Sequence, residues 1–152
     1  MEIAITSEPS QYHKAEIYKI WNAEYPSFLA HKSISEFESY LKALENARHF
    51  IATSENNLIG WIVKFDREGG KWFVLMISSK EQNKGLGTKL VSLLKGNSDE
   101  LNGWVIDRDS YLKANGEIYK SPLEFYTKNG FETTNDRFKN EDFEALKVKW
   151  VK

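Results

Sequence analysis

Two glycines one residue apart, Gly85 and Gly87, stand between an unbroken apolar run, Trp72-Phe73-Val74-Leu75-Met76-Ile77, and a segment in which Leu86, Leu90, Leu93 and Leu94 recur at helical spacing. A run of this kind reads as a strand covered on both faces. Leucines three and four apart read as the buried stripe of a helix. Strand, glycine turn and amphipathic helix together make an anion site. The amides of a first helical turn have no partners inside the helix, and glycines carry no side chain to hold a phosphate away. The segment Gln82-Asn83-Lys84-Gly85-Leu86-Gly87-Thr88 is therefore the candidate seat of a phosphorylated cofactor. Two nucleotide fingerprints are excluded: Leu90 stands where a dinucleotide fold needs its third glycine, and the Gly-Lys-Ser/Thr of a P-loop is absent.

A second motif, Ser121-Pro122-Leu123-Glu124-Phe125-Tyr126-Thr127-Lys128-Asn129-Gly130-Phe131, specifies both ends of a short helix. Ser121 is a suitable N-cap, Pro122 suits the first helical position, and Glu124 stands where a capping box closes. Gly130 is the expected left-handed residue after the helix, with Phe131 as its hydrophobic contact.

Residues 1–152 read as one domain, since no repeat, low-complexity tract or Pro/Gly/Ser linker interrupts them. Glu2 to Ile5 is a first strand, and Tyr12 to Tyr25 a helix with Tyr18, Trp21 and Tyr25 on one face. Ser33 caps a second helix, with Glu36 in the box position and Phe37, Tyr40, Leu41 and Leu44 as its stripe. His49 to Glu55, Leu58 to Phe65 and Lys71 to Ser78 form a meander turning at Asn56-Asn57 and Gly69-Gly70. After the glycine-turn helix come a strand over Trp104 to Asp107, a long connection over Arg108 to Lys120, and the capped helix. Strands over Phe131 to Thr134 and Phe143 to Val151 close the chain.

Several function classes are excluded by composition. With 21 basic and 22 acidic residues the formal charge is −1, which provides no field for nucleic acid or an anionic membrane. The absence of cysteine removes disulfides, thiolate nucleophiles and thiolate metal sites, and His13, His31 and His49 lack metal-ligand spacing, so no metal is expected. No apolar run approaches membrane-spanning length and no signal segment is present, which makes a cytoplasmic protein the expectation.

Gln82-x-x-Gly85-x-Gly87, followed about 40 residues on by Phe125-Tyr126-x-Lys128-x-Gly130-Phe131, resembles the two signatures of the GNAT N-acetyltransferase superfamily. The resemblance covers essentially the whole chain and implies an α/β fold: a mixed central sheet of about seven strands with about four helices, ordered β-α-α-β-β-β-α-β-α-β-β. It implies acetyl-CoA as co-substrate, with the pyrophosphate on Gln82, Asn83, Lys84, Gly85, Leu86, Gly87 and Thr88 and the pantetheine arm along Leu75, Met76 and Ile77. It further implies an oxyanion donor in the backbone N–H of Leu75 and an acid in Tyr126, which also touches the cofactor. Histone-acetylating members carry a glutamate on the fourth strand where this chain has Lys71. Asp107 is the leading candidate for the general base, with Asp109, Glu24 and His31 as alternatives. The expected reaction is direct transfer of an acetyl group to a primary amine, of a small molecule or a peptide, by a monomer or homodimer. A non-catalytic acyl-CoA-binding module, or an interaction subunit with this fold, is the alternative.

Overall fold

The computed structural model describes residues 1–152 as seven strands and four α-helices in the expected order. Strands β1 (Glu2–Thr6), β2 (Glu45–Ser54), β3 (Asn57–Arg67), β4 (Gly70–Ile77), β5 (Glu100–Val105), β6 (Glu132–Lys139) and β7 (Glu144–Val151) form one sheet, ordered β1-β2-β3-β4-β5-β7-β6. Every neighbouring pair is antiparallel except β4 and β5, which run parallel. Helices α1 (Gln11–Glu24) and α2 (Ile34–Ala43) bury Ile17, Trp21, Phe37 and Leu41 on one sheet face, against Ile51, Trp61, Val63, Trp72 and Met76. Helices α3 (Leu86–Gly96) and α4 (Leu123–Lys128) bury Leu86, Leu90, Val91, Leu94 and Tyr126 on the other, against Phe50, Ile62, Phe73, Leu101 and Val148. Alternation of side chains along each strand sends successive residues to the two cores. No helix is long and apolar enough to cross a membrane.

Local chemistry explains most boundaries. Ser33 Oγ accepts from Glu36 N (3.1 Å), and the Glu36 carboxylate reaches back to Lys32 N (3.1 Å), one residue earlier than a regular capping box. The two hairpins turn one residue before the expected pairs: Glu55 and Asn56 have φ of 51° and 65°, Glu68 and Gly69 of 49° and 76°. Two consecutive positive φ values are the requirement of a type I′ turn, whose twist matches the flanking strands.

Strand β5 starts at Glu100, not Trp104. Leu101 and Val105 face the α3 core, Asn102 is buried, and Gly103 is where Phe73 crosses so closely that a Cβ would lie 3.0 Å from its ring. Strand β6 runs on to Lys139 as an exposed, mostly polar edge whose register to β7 breaks between Thr133 and Arg137.

Candidate active site

Strands β4 and β5 pair at one point only, Trp72 with Asn102, and diverge beyond it. The direction of the β4 amides at the divergence follows from the β3–β4 ladder. Ser78 N–H donates to Ile59 O (3.0 Å), and bonded and non-bonded pairs alternate along an antiparallel ladder. The Ile62–Leu75 pair is thus non-bonded, and Leu75 turns its N–H and C=O away from β3. Lys71, on the same edge, meets the Glu100 carboxylate with its N–H (3.4 Å) and the Asn102 side-chain amide with its C=O (3.0 Å), in agreement with this direction. Leu75 N–H therefore points into the gap that β5 leaves open.

The glycine turn follows β4 immediately. Gly85 is left-handed (φ 87°) and forms the N-cap of α3 with no side-chain cap, and Asn83 is also at positive φ (64°). No amide from Gln82 to Thr88 donates to another protein atom. Gln82 Nε2 donates to Ile77 O (3.2 Å), folding the loop back onto the end of β4. A row of free N–H groups at a helix N-terminus fits a diphosphate, so these residues would hold that part of coenzyme A. The two glycines have different reasons to be glycine. A Cβ on Gly85 meets nothing within 4 Å, whereas one on Gly87 would lie 2.9 Å from the Phe125 ring of α4. Gly87 lets two helices approach.

Tyr126 lies under this junction, its ring 5.6 Å from Phe73, 5.0 Å from Phe125 and 5.5 Å from Phe131. The C-terminus of α4 is closed by Phe131 N to Tyr126 O (3.0 Å) and Gly130 N to Thr127 O (3.2 Å), with Gly130 at φ 86°. These are the two bonds of a Schellman motif, and they fix Tyr126 in place. The N-terminus differs from expectation. Ser121 Oγ accepts from Leu123 N (3.2 Å) and donates to Ile106 O (2.6 Å), while Asp109 takes Ser121 N and Glu124 pairs with Lys128, so no capping box forms. The Tyr126 hydroxyl bonds to no protein group, and burial, then the neighbouring Tyr119, push its pKa far above the ordinary phenol value. It is neutral throughout the physiological range.

The sequence profile of the acetyltransferase (GNAT) domain matches residues 45–133, more than half of the chain. The chain belongs to the GNAT acetyltransferase family. Solved structures with the same fold as this GNAT protein include an aminoglycoside 6'-N-acetyltransferase complexed with coenzyme A, at a TM-score of 0.74 and 17% identity over 99% of this chain and 97% of that one. The aminoglycoside 6'-N-acetyltransferase of Enterococcus faecium has a TM-score of 0.72 and 18% identity over 99% and 97% of the two chains. A spermidine N-acetyltransferase mutant from Vibrio cholerae has a TM-score of 0.68 and 15% identity over 99% and 95%. No curated protein sequence matches.

The acids of this GNAT domain are less available than its spacing suggests. Asp107 receives two bonds from Arg137 (3.0 and 3.2 Å) and lies 3.7 Å from Arg108; the Arg137 hydrogen bond holds its carboxyl below the ordinary aspartate value. Asp107 is therefore already engaged, and it could take a substrate proton only if its pairing with Arg137 opened. Asp109 accepts from Ser121 N (2.6 Å). Glu24 is engaged on both oxygens, by Ser79 N (3.0 Å) and by Lys113 Nζ (3.3 Å). His31 sits among Trp21, Phe37 and Tyr40, its Nδ1 3.5 Å from the Glu36 carboxylate and neither ring nitrogen in a regular hydrogen bond. Lys71 is paired with Asp66 at the far end of β4.

Tyr25, in the Glu24 to Ser33 loop that the sequence offers for substrate contact, is a further element of the candidate site. It ends α1 with its ring edge-on to Tyr119 at 6.2 Å, and burial, then Tyr119 and Tyr126, raise its pKa well above the ordinary phenol value. Three phenols thus gather at the open ends of β4 and β5. In the sequence Tyr25 is indistinguishable from the apolar face of its helix; its place before Pro26, where the chain must turn, was the one local signal.

Proposed function

We propose that this GNAT acetyltransferase uses acetyl-CoA to acetylate a primary amine by direct transfer. The observation that carries the reading is the Leu75 amide aimed into the gap between β4 and β5, beside a loop of unpartnered amides and above a buried, unbonded phenol. Acetyl-CoA supplies an acyl thioester. The Gln82–Thr88 amides would hold its diphosphate, and the exposed edge of β4 at Leu75 and Ile77 would run beside its arm. Leu75 N–H would donate to a carbonyl oxygen gaining charge, a stabilisation that a preorganised amide provides without rearrangement. The Tyr126 hydroxyl is the donor for a departing thiolate. Its raised pKa favours a hydrogen bond to sulfur over complete proton transfer, because a thiol ionises near pH 8.5.

The engaged carboxylates bear on the acceptor. Exposing the lone pair of a lysine-like amine at pH 7 costs about 4.6 kcal/mol, against about 1.1 kcal/mol for an α-amine. With Asp107, Asp109 and Glu24 occupied, a weakly basic amine that loses its proton to water fits this site better than a lysine side chain. The same shortage of a base favours one second reading, an acyl-CoA-binding protein without turnover. A screen of amines for acetyl-CoA-dependent release of free thiol, with the acetylated product identified by mass spectrometry, separates the two. Product with any amine class supports the enzyme; tight CoA binding without product from any of them supports the binding protein.

A further inference from the structure

The connection between β5 and α4 crosses the open ends of β4 and β5 as a strap. It leaves β5 at Ile106 and folds into a small hairpin: Tyr119 N donates to Tyr111 O (2.8 Å), Lys113 N to Glu117 O (2.8 Å), Leu112 bridges Ile118, and Gly116 turns at φ 85°. It is then tied to the loop after α1. Ser27 N donates to Leu112 O (2.8 Å), Pro26 bridges Lys113, and Lys113 Nζ pairs with Glu24 (3.3 Å) in a contact where the two side chains are only 15% and 12% exposed. Glu24 in turn holds Ser79 N, the first residue pair beyond β4, so the strap reaches from the end of β5 to the end of β4. The β6–β7 hairpin completes the closure. Phe28 lies edge-on to Tyr111 at 5.0 Å and stacks on Phe143 at 5.1 Å, and Tyr111 Oη accepts from Glu144 N (3.0 Å).

Three segments remote in sequence therefore meet over the place where an acceptor would approach Leu75 N–H. We propose, resting on the acetyltransferase reading above, that this strap restricts the acceptor to a compact small-molecule amine and excludes the terminus or a lysine of a polypeptide. An extended peptide advances about 3.3 Å per residue and needs an open trough to lie in. Here the path is crossed by backbone hydrogen bonds, an ion pair and an aromatic stack. Beneath the strap the wall is phenolic: Tyr25 and Tyr119 offer rings and neutral hydroxyls, and the Glu24 carboxylate is already paired. Such a wall suits a small amine that arrives uncharged, since burial without a counter-charge penalises the ammonium form.

The test uses the full chain with acetyl-CoA and a panel of free small primary amines, each matched by peptides that present the same type of amine at an N-terminus or a lysine. The expected kcat/KM favours the small amines by about a hundredfold or more. Phe28→Ala should loosen the strap and narrow that preference by about tenfold, with CoA affinity retained; Tyr111→Phe, which removes only the acceptor of Glu144 N, should act in the same direction more weakly. Hydrogen exchange gives a readout independent of turnover, in which the amides of Ser27, Lys113, Tyr119 and Glu144 are protected in the free protein. Peptides acetylated as well as small amines, or these four amides exchanging at the rate of open loops, would overturn the proposal while leaving the acetyltransferase reading intact. CoA bound but no amine acetylated overturns both.

Discussion

Gly87 on α3 and Phe125 on α4 touch so closely that a Cβ on the glycine would lie 2.9 Å from Phe125 Cζ. The glycine loop is thereby tied to the helix that carries Tyr126. Gly87→Ala should cost about 1–3 kcal/mol of stability through overpacking. Phe125→Leu in the same chain should recover much of that loss, because the two residues share one contact. Gly85→Ala, at a left-handed position with nothing within 4 Å of its Cβ, should cost about 1–2 kcal/mol and gain nothing from Phe125→Leu. Urea unfolding of the four variants is the check, and equal rescue of both glycine variants would contradict the contact.

His49 gives the fold a defined response to acid. It is fully buried in β2, its Nδ1 accepts from Trp61 Nε1 (3.0 Å), and burial, then nearby Lys14, depress its pKa from 6.5 to about 4. The folded state keeps it neutral while the unfolded chain takes up a proton below pH 6.5. Its contribution is thus complete above pH 6.5 and is lost as pH falls towards about 4, amounting to about 3 kcal/mol in all. Unfolding free energies measured across that window should fall with pH, and His49→Asn should flatten the slope. A slope unchanged by the substitution would contradict a buried neutral imidazole.

Legibility in the sequence tracked the range of the interaction responsible. The α3 stripe, the Ser33 cap and the Gly130 terminus are set within a few residues, and each stands where local chemistry puts it. Strand β5 was read four residues short because Asn102 and Gly103 break the apolar pattern; the first is retained for its bond to Lys71 O, the second for clearance under Phe73. Strand β6 carries almost no apolar signal because it is an exposed edge. The strap was legible as a long connection suited to substrate contact over Tyr111 to Tyr119, but its shape was not, since the contacts that set it reach Glu24, Ser27, Phe28 and Glu144, far away in the chain. Asp107 looked free for the same reason: its partner Arg137 is 30 residues on.

Asp107→Asn should leave turnover within about threefold of the parent, because the carboxylate is already engaged by Arg137. The pH profile of kcat/KM should keep its acidic limb. Loss of that limb together with a fall of about a hundredfold in rate would restore Asp107 as the base.

Tyr126→Phe removes one hydroxyl from a ring held by the α4 terminus. Folding and CoA affinity should change by about 1 kcal/mol or less. Turnover should fall by about a hundredfold, roughly 2.7 kcal/mol of barrier, with partial recovery on a thioester of a more acidic thiol. Because burial raises the phenol pKa, the parent enzyme should show no alkaline loss of rate attributable to Tyr126 through the ordinary phenol range. Single-turnover rates at saturating acetyl-CoA that are equal in parent and variant would make Tyr126 a packing residue.

Binding of coenzyme A by the Gln82–Thr88 amides and the β4 edge is tested most directly by a calorimetric titration of the intact chain with CoA. The expected result is saturable binding at one site, and thermal stabilisation that reaches about 2.7 kcal/mol when ligand is at a hundred times its dissociation constant. No heat and no shift in melting temperature at millimolar CoA would contradict it.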